Sequence, residues 1–300
     1  MQCSSFPDRI RDILISSDNE INLHPEGDSL PEIGEVVILQ FPLREGFSVY
    51  SRLKTTHILT DKEIFGYSKK KDYESCKLLD SLLPKKMAIG KIRDLIENKP
   101  VFIIGAGPSL PSCISILKKY KKITKIVADG ATRAIIENKL KADIVVTDLD
   151  GDIKSLQNAA KTNTIMIVHA HGDNIEQIHF IKNFRNCIGT TQTKSIGNIH
   201  NFGGFTDGDR CVFLANHFKA KKIILLGMDF GTRIGKYSKT VGVNRKLKIA
   251  KLRRGKKLLE WLAEKSESEL YSTSKIKGFT KINLRNVDNI ITKNHTTKKS

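Results

Sequence analysis

Short apolar runs alternate, along most of this chain, with longer segments whose apolar residues recur at helical spacing. After Pro100 the alternation is regular. Residues 101–104, 123–128, 143–146, 164–168, 187–191 and 222–226 predict strands with no polar alternation, so both faces are covered. Between them, residues 110–117, 131–140, 153–160, 175–184 and 207–218 predict amphipathic helices. Strands and helices in this order give an α/β fold, a mostly parallel sheet with helices on both faces, Rossmann-like in layout. A further helix is expected from Lys246, and residues 270–272 and 278–282 are expected to close the sheet.

The N-terminal third reads differently. Residues 1–50 form an extension of thin apolar content, with a strand at 36–39. Residues 51–99 form a helical segment. It carries Ile64, Phe65, Cys76, Leu78, Leu79, Leu82 and Leu83, then Ile89, Ile92, Leu95 and Ile96, and stops before Pro100, which cannot continue a helix. Residues 100–283 form the α/β domain, and residues 284–300 a basic tail expected to fray.

A polar or glycine-rich loop follows each strand of that domain. In order they are Gly105-Ala106-Gly107-Pro108-Ser109, Asp129-Gly130-Ala131-Thr132, the stretch 147–152, and His169-Ala170-His171-Gly172-Asp173-Asn174. Gly203-Gly204-Phe205-Thr206-Asp207-Gly208-Asp209 opens a helix, and Gly227-Met228-Asp229-Phe230-Gly231 completes the set. In a parallel sheet all six meet at the carboxyl edge, where ligands bind. The opposite turns (118–122, 139–141, 219–222) are lysine-rich instead, and this asymmetry marks the functional edge.

Asp148, Asp150 and Asp152 stand at alternate positions after a strand. Three such acids repel one another unless a cation or solvent intervenes, and hard oxygens of this kind suit Mg²⁺; a solvated acidic turn is the plain alternative. Gly105-Ala106-Gly107 suggests a backbone cradle for phosphate or ribose, with Asp129 near the spacing of a ribose-binding acid. Leu110 stands where a third glycine would be and Pro108 follows the second, so NAD is not specified, and a tight turn without ligand serves as well. No Walker A loop is present.

Asp148-Leu149-Asp150-Gly151 is similar to the haloacid-dehalogenase phosphatase loop. It differs in Asp152 after the glycine, in its place on the third strand, and in Gly172-Asp173 leading to Gln177 rather than to a further Asp. His169 and His171 lack a third ligand at metal spacing, which favours substrate or supporting roles over zinc.

Composition narrows the classes. The 300 residues are 39% hydrophobic and 28% charged, as in a globular protein, and 51 Lys+Arg against 32 Asp+Glu leave a net charge of +19. From Gly231 to Lys257 the chain carries eleven basic and no acidic residues; a solvated face is the ordinary reading of such a run, and Arg233, Lys236 and Lys246 are candidates for holding phosphate. Aromatic residues do not interleave with the basic runs, which disfavours a nucleic-acid module. Five scattered cysteines without a C-x-x-C pair, no apolar run approaching about 20 residues and no apolar leader predict a cytoplasmic protein outside the membrane.

Taken together, Gly105-Ala106-Gly107-Pro108-Ser109-Leu110, Ala128-Asp129-Gly130-Ala131, Thr147-Asp148-Leu149-Asp150-Gly151-Asp152, His169-Ala170-His171-Gly172-Asp173-Asn174, Gly204-Phe205-Thr206-Asp207-Gly208-Asp209-Arg210 and Gly227-Met228-Asp229-Phe230-Gly231 resemble the archaeal 6-hydroxymethyl-7,8-dihydropterin pyrophosphokinases. That family is related in fold to thiamin pyrophosphokinase. The resemblance runs from Phe65-Gly66-Tyr67-Ser68 to Gly278 and leaves the first fifty residues unmatched. It implies transfer of pyrophosphate from ATP to a reduced pterin alcohol with release of AMP, and Mg²⁺ as cofactor. Asp148, Asp150 and Asp152 would hold metal, and Asp148, Asp150 and Asp173 would act in catalysis. Gly105, Gly107, Pro108, Ser109, Asp129 and Gly130 would take the nucleotide. His169, His171, Asn174, Thr206 and Asp207 would take the pterin. No membrane or specific nucleic acid is expected as a partner, and a homodimer is left open. Thiamin pyrophosphokinase and a flagellin-modification glycosyltransferase are the competing enzyme readings.

Overall fold

Strand-forming runs and helical segments are both realised in the computed structural model of the chain, which describes residues 13–15, 21–23, 68–83, 89–238 and 244–292. The expected strand at 36–39, the start of the helical segment with Ile64 and Phe65, and residues 293–300 lie outside the described residues. The chain divides into two compact units, Met1–Pro42 and Leu43–Ser300. In the first, β1 (Ile13–Ile15) pairs antiparallel with β2 (Ile21–Leu23), with Ile13 opposite Leu23.

The second unit opens with helices α1 (Lys69–Leu82) and α2 (Gly90–Ile96). The alternating part follows: β3 (Pro100–Ile104), α3 (Leu110–Lys119), β4 (Thr124–Ala128), α4 (Asp129–Glu137), β5 (Ile144–Thr147), α5 (Ile153–Ala160) and β6 (Ile165–Ala170). A 3₁₀ helix (Gln177–Asn183) leads to β7 (Cys187–Thr191), then α6 (Asp207–His217), β8 (Lys222–Leu226), α7 (Arg245–Ala263), β9 (Glu269–Ser272), β10 (Thr280–Lys281) and α8 (Val287–Thr292). Strands β3 to β10 form one sheet in the order β10-β9-β8-β3-β4-β5-β6-β7, and every pairing in it is parallel.

Parallel strands covered on both faces need apolar side chains throughout. Of β4, β5, β6, β7 and β8 every residue is buried. Helix α3 turns Leu110, Cys113 and Leu117 inward, a spacing of three and four that makes one face. The chain leaves β3 towards β4 but leaves β8 towards β9, and β3 and β8 are neighbours. Their carboxyl ends therefore form the crevice where connections diverge, the usual place for a ligand in an open α/β sheet.

Two segments depart from expectation. Residues 177–183 form a 3₁₀ rather than an α-helix, and the reason is visible in what they bury: Ile178, Ile181 and Phe184 recur every third residue, the period of a 3₁₀ turn. The tail expected to fray begins instead with a 3₁₀ turn and α8. Val287 is fully buried, and Asp288 accepts hydrogen bonds from Lys119 Nζ, at 2.6 Å, and from the Tyr120 hydroxyl. Among the described residues, no helix is long and apolar enough to cross a membrane.

One buried charge secures the amino-terminal edge. Lys125 sits in β4 at 2% exposure. Its ammonium donates to the carbonyls of Tyr120, Lys121 and Ile123 at 3.0, 3.1 and 2.9 Å, and so closes the turn after α3. Burial holds its pKa below the ordinary lysine value. Lys125→Met keeps the volume but leaves three carbonyls without that donor, and should lower unfolding stability by about 1–3 kcal/mol. A urea midpoint shifted down at constant m-value would show it; an unchanged midpoint would refute it.

Candidate active site

The carboxyl edge gathers acids from separate loops. Asp129 begins α4 directly after β4, Asp148 and Asp150 follow β5, and Asp207 begins α6. One carboxylate oxygen from each lies within 4.8 Å of the others. Asp129 is the buried member at 2% exposure, and Asp150 is exposed.

Local bonding explains how the loop after β5 wraps Asp129. The Thr147 hydroxyl donates to Asp129 Oδ2 and accepts from the Leu149 amide at 2.8 Å, and the Gly151 amide reaches the same Oδ2 at 3.3 Å. A Cβ at Gly151 would lie 1.6 Å from Asp129 Oδ1, so only glycine lets the loop close on the acid. Leu149 takes a left-handed φ of +67° to make the turn, an uncommon conformation for a non-glycine residue. Asp129 Oδ1 itself is buried and has no hydrogen-bond partner among the described residues.

Electrostatics follow from this crowding. Burial and then the charge of Asp148 push the Asp129 carboxyl up to about 8. Burial, followed by the charges of Asp148, Asp129 and Asp150, drives Asp207 well above the ordinary carboxylate value. Burial also acts to raise Asp148, but the His171 imidazole more than offsets it, assisted by Asp150, and holds the carboxyl at about 2. His171 Nε2 lies 3.4 Å from Asp148 Oδ2, and its Nδ1 accepts from the Asp173 amide at 3.3 Å.

The expected residues separate into those at the cluster and those beside it. His169, His171, Thr206 and Asp207 line a cavity of about 280 Å³ together with Asp148 and Asp150. Asp152 does not join them. It is the N-cap of α5, and its Oδ2 accepts from the Ser155 amide at 3.0 Å and the Ser155 hydroxyl at 2.5 Å, which hold its carboxyl below the ordinary value. Asp173 keeps a side chain 69% exposed.

Asn174 is a tie inside the protein rather than a cavity wall. Its amide donates to the carbonyls of Asp148 and His169, both at 2.7 Å, and its oxygen accepts from the His171 amide at 3.1 Å and the Ser75 hydroxyl at 3.2 Å. One side chain thereby locks the β5 loop, the β6 loop and α1 together. Asp72 of α1 adds a second tie, accepting from the Gly172 amide at 2.7 Å and Gln192 Nε2 at 2.9 Å.

The glycine loop is likewise committed to its neighbour. A Cβ at Gly105 would meet Met228 Sδ at 2.5 Å, and one at Gly107 would meet Asp229 Oδ2 at 2.3 Å. Asp229 Oδ2 accepts from the Ser109 amide at 2.8 Å and the Ser109 hydroxyl at 2.7 Å. The amino end of α3, where a phosphate was expected, thus holds a carboxylate of the chain itself. The glycines still present bare backbone to the cavity, with Gly130 beside them.

Several lining residues were missed in the sequence: Gln192, Arg210, and Leu247, Lys248, Lys251 and Leu252 of α7. Arg210 was legible as a basic residue one turn into α6 after Asp207, on the active edge. Of the basic candidates, Arg233 lines the cavity; Lys236 lies over the Tyr237 ring, 4.6 Å from its centre, and Lys246 is exposed.

Hard oxygen donors from Asp129, Asp148, Asp150 and Asp207, one of them buried and without a hydrogen-bond partner, fit a divalent cation of the Mg²⁺ type. The stretch that carries these acids is similar to known proteins. Residues 80–235 match the family described as 6-hydroxymethylpterin diphosphokinase MptE-like. The chain is 45% identical over 224 residues to the 6-hydroxymethyl-7,8-dihydropterin pyrophosphokinase of Methanocaldococcus jannaschii, covering 69% of this chain and 93% of that protein. It is 40% identical to the protein of the same name from Pyrococcus furiosus, covering 70% and 92%, and 39% identical to that of Methanothermobacter thermautotrophicus, covering 69% and 91%. Among solved structures it is similar in fold to the MAf glycosyltransferase of Magnetospirillum magneticum AMB-1, with a TM-score of 0.52 at 13% identity over 80% of this chain and 43% of that one.

The buried acid carries a testable cost. A carboxyl raised from 3.8 to about 8 by folding destabilises the native state as pH rises, with no penalty below the unfolded value and an increasing one towards pH 8. Asp129→Asn places an amide donor among the remaining carboxylates. In EDTA it should stabilise the protein on the order of 1–2 kcal/mol at pH 7, an advantage that vanishes below about pH 4. Melting curves of both proteins across pH 4–8 measure this; equal pH dependence would refute it.

Proposed function

Because the chain belongs to the MptE-like family of 6-hydroxymethylpterin diphosphokinases, we infer that it is a 6-hydroxymethyl-7,8-dihydropterin pyrophosphokinase acting on ATP. The observation that carries the reading is a carboxylate cluster at the strand-divergence point of the domain that matches the family. In the reaction the hydroxymethyl oxygen forms a bond to the β-phosphorus of ATP. The bond from that phosphorus to the oxygen bridging the α-phosphate breaks, its electron pair leaving with AMP, and the hydroxyl proton passes to solvent. Such transfers depend mainly on positioning and charge neutralisation.

A dication such as Mg²⁺, held by Asp148, Asp150, Asp129 and Asp207, would neutralise phosphate oxygens beside the bond that breaks. The chain's own contribution is to fix those acids. His171 keeps Asp148 ionised, the Asp173 backbone orients His171, and Asn174 holds the carbonyl of Asp148 in place. On this reading Asp173 works through its amide and His171, and Asp152 works as a helix cap. The bare backbone of Gly105, Gly107 and Gly130 would lie against the nucleoside, and His169, Thr206 and Gln192 would face the pterin. Among the described residues, four buried free thiols, Cys76, Cys113, Cys187 and Cys211, suit a reducing cytoplasm where ATP is available.

Incubation with ATP, Mg²⁺ and the reduced hydroxymethylpterin should release AMP in equal amount to pterin diphosphate; ADP as product would refute the reading. Replacing the pterin by thiamin should give no turnover. Asp148→Asn should lower kcat by at least about 100-fold in a protein that still unfolds cooperatively. A trapped aspartyl-phosphate at that position would overturn the ligand role in favour of a nucleophile.

A further inference from the structure

The anion site at the amino end of α3 is taken by Asp229, so phosphate must be held elsewhere in the cavity. Helix α7 supplies an alternative in its own periodicity. Its inward stripe runs through Leu258, Leu259 and Leu262, all buried, with Gly255 one turn earlier. Continued towards the amino end, that stripe passes through Lys251 and Lys248, and these two residues line the cavity. The stripe is thus apolar where it packs on the protein and cationic where it crosses the cavity. Arg245, Lys246, Arg253 and Lys257 lie off it and are exposed, a solvated face of the ordinary kind.

The helix is held in this position. A Cβ at Gly255 would approach Asp209 Oδ2 to 2.8 Å, so the helix sits directly on the start of α6. Asn244 caps its amino end by accepting from the amides of Lys246 and Leu247 at 3.0 and 3.2 Å. Arg245 Nη2 donates to the Thr232 carbonyl at 3.3 Å. The cavity is lined both by carboxylates and by lysines, which suits a ligand carrying a bound cation and many anionic oxygens. We propose that Lys248 and Lys251 form a polyphosphate clamp that binds phosphate oxygens of the nucleoside triphosphate in the cavity that the carboxylate cluster also lines. The clamp rests on the diphosphokinase reading for the identity of the nucleotide, and on charge and placement for the polyphosphate class.

Titration calorimetry of the full chain with inorganic pyrophosphate in Mg²⁺ buffer tests it, with melting temperatures recorded for each variant. Lys248→Met and Lys251→Met should each weaken pyrophosphate binding by about 5–20-fold and raise KM for ATP by a similar factor, whereas Arg253→Met on the exposed face should stay within about 2-fold. Lys251→Arg, which keeps the charge, should retain most of the affinity. Wild-type affinity in both Met variants, equal loss in Arg253→Met or in Lys251→Arg, or no pyrophosphate binding by the wild-type chain would overturn the clamp. Pyrophosphate binding lost in the two Met variants without any pterin turnover by the wild-type chain would support the clamp and sink the activity. Turnover with unchanged pyrophosphate affinity in the variants would do the reverse.

Discussion

Four carboxylates within hydrogen-bonding reach of one point repel one another, and the architecture of this edge is organised by that repulsion. A flexible loop would relieve it by moving apart. Here three of the four are held by the fold: Asp129 and Asp207 begin helices, and Asp148 sits in a loop whose carbonyl is tied by Asn174. The sheet, buried throughout its central strands, provides the rigid frame. A cation entering the cluster would find the unfavourable work of assembling its ligands already done during folding, which is the general sense of preorganisation.

The frame was legible in the chain and the details of its edge were less so. Uninterrupted runs such as Ile144-Val145-Val146 announce a doubly covered strand, and their alternation with helices leaves little freedom in topology. Asp148 and Asp150 could be read as facing one point because they follow such a strand closely. Asp152 could not be separated from them by spacing alone, because the choice between ligand and helix cap depends on where α5 begins, with Ser155 three residues on. Asp129 and Asp207 stood out as acids on the active edge, yet their convergence with Asp148 depends on the order of strands in the sheet, which local patterns do not encode. The least legible element was α7. Its basic residues are evenly distributed in sequence, and only the stripe defined by Leu258, Leu259 and Leu262 shows which of them turn inward.

The fold is shared more widely than the chemistry. Likeness to a glycosyltransferase at 13% identity concerns the layered scaffold alone. This edge pairs an acidic cluster with a commitment of the glycine loop to Asp229. In many α/β proteins that loop and helix end receive a ligand phosphate directly; in this chain the same geometry locks two strand-end loops to each other across the point where the chain diverges.

The contact between Gly151 and Asp129 bears on how such a site can change over generations. A methyl group at 151 and a carboxylate at 129 exclude each other in the observed loop, so the two positions behave as a single heritable unit. Drift at 151 is closed while the acid remains, and becomes open once the acid is lost. The path out of this chemistry is therefore easier than the path back: after any larger side chain settles at 151, restoring the acid alone would not rebuild the cluster, and the ancestral loop would need two coordinated changes to return.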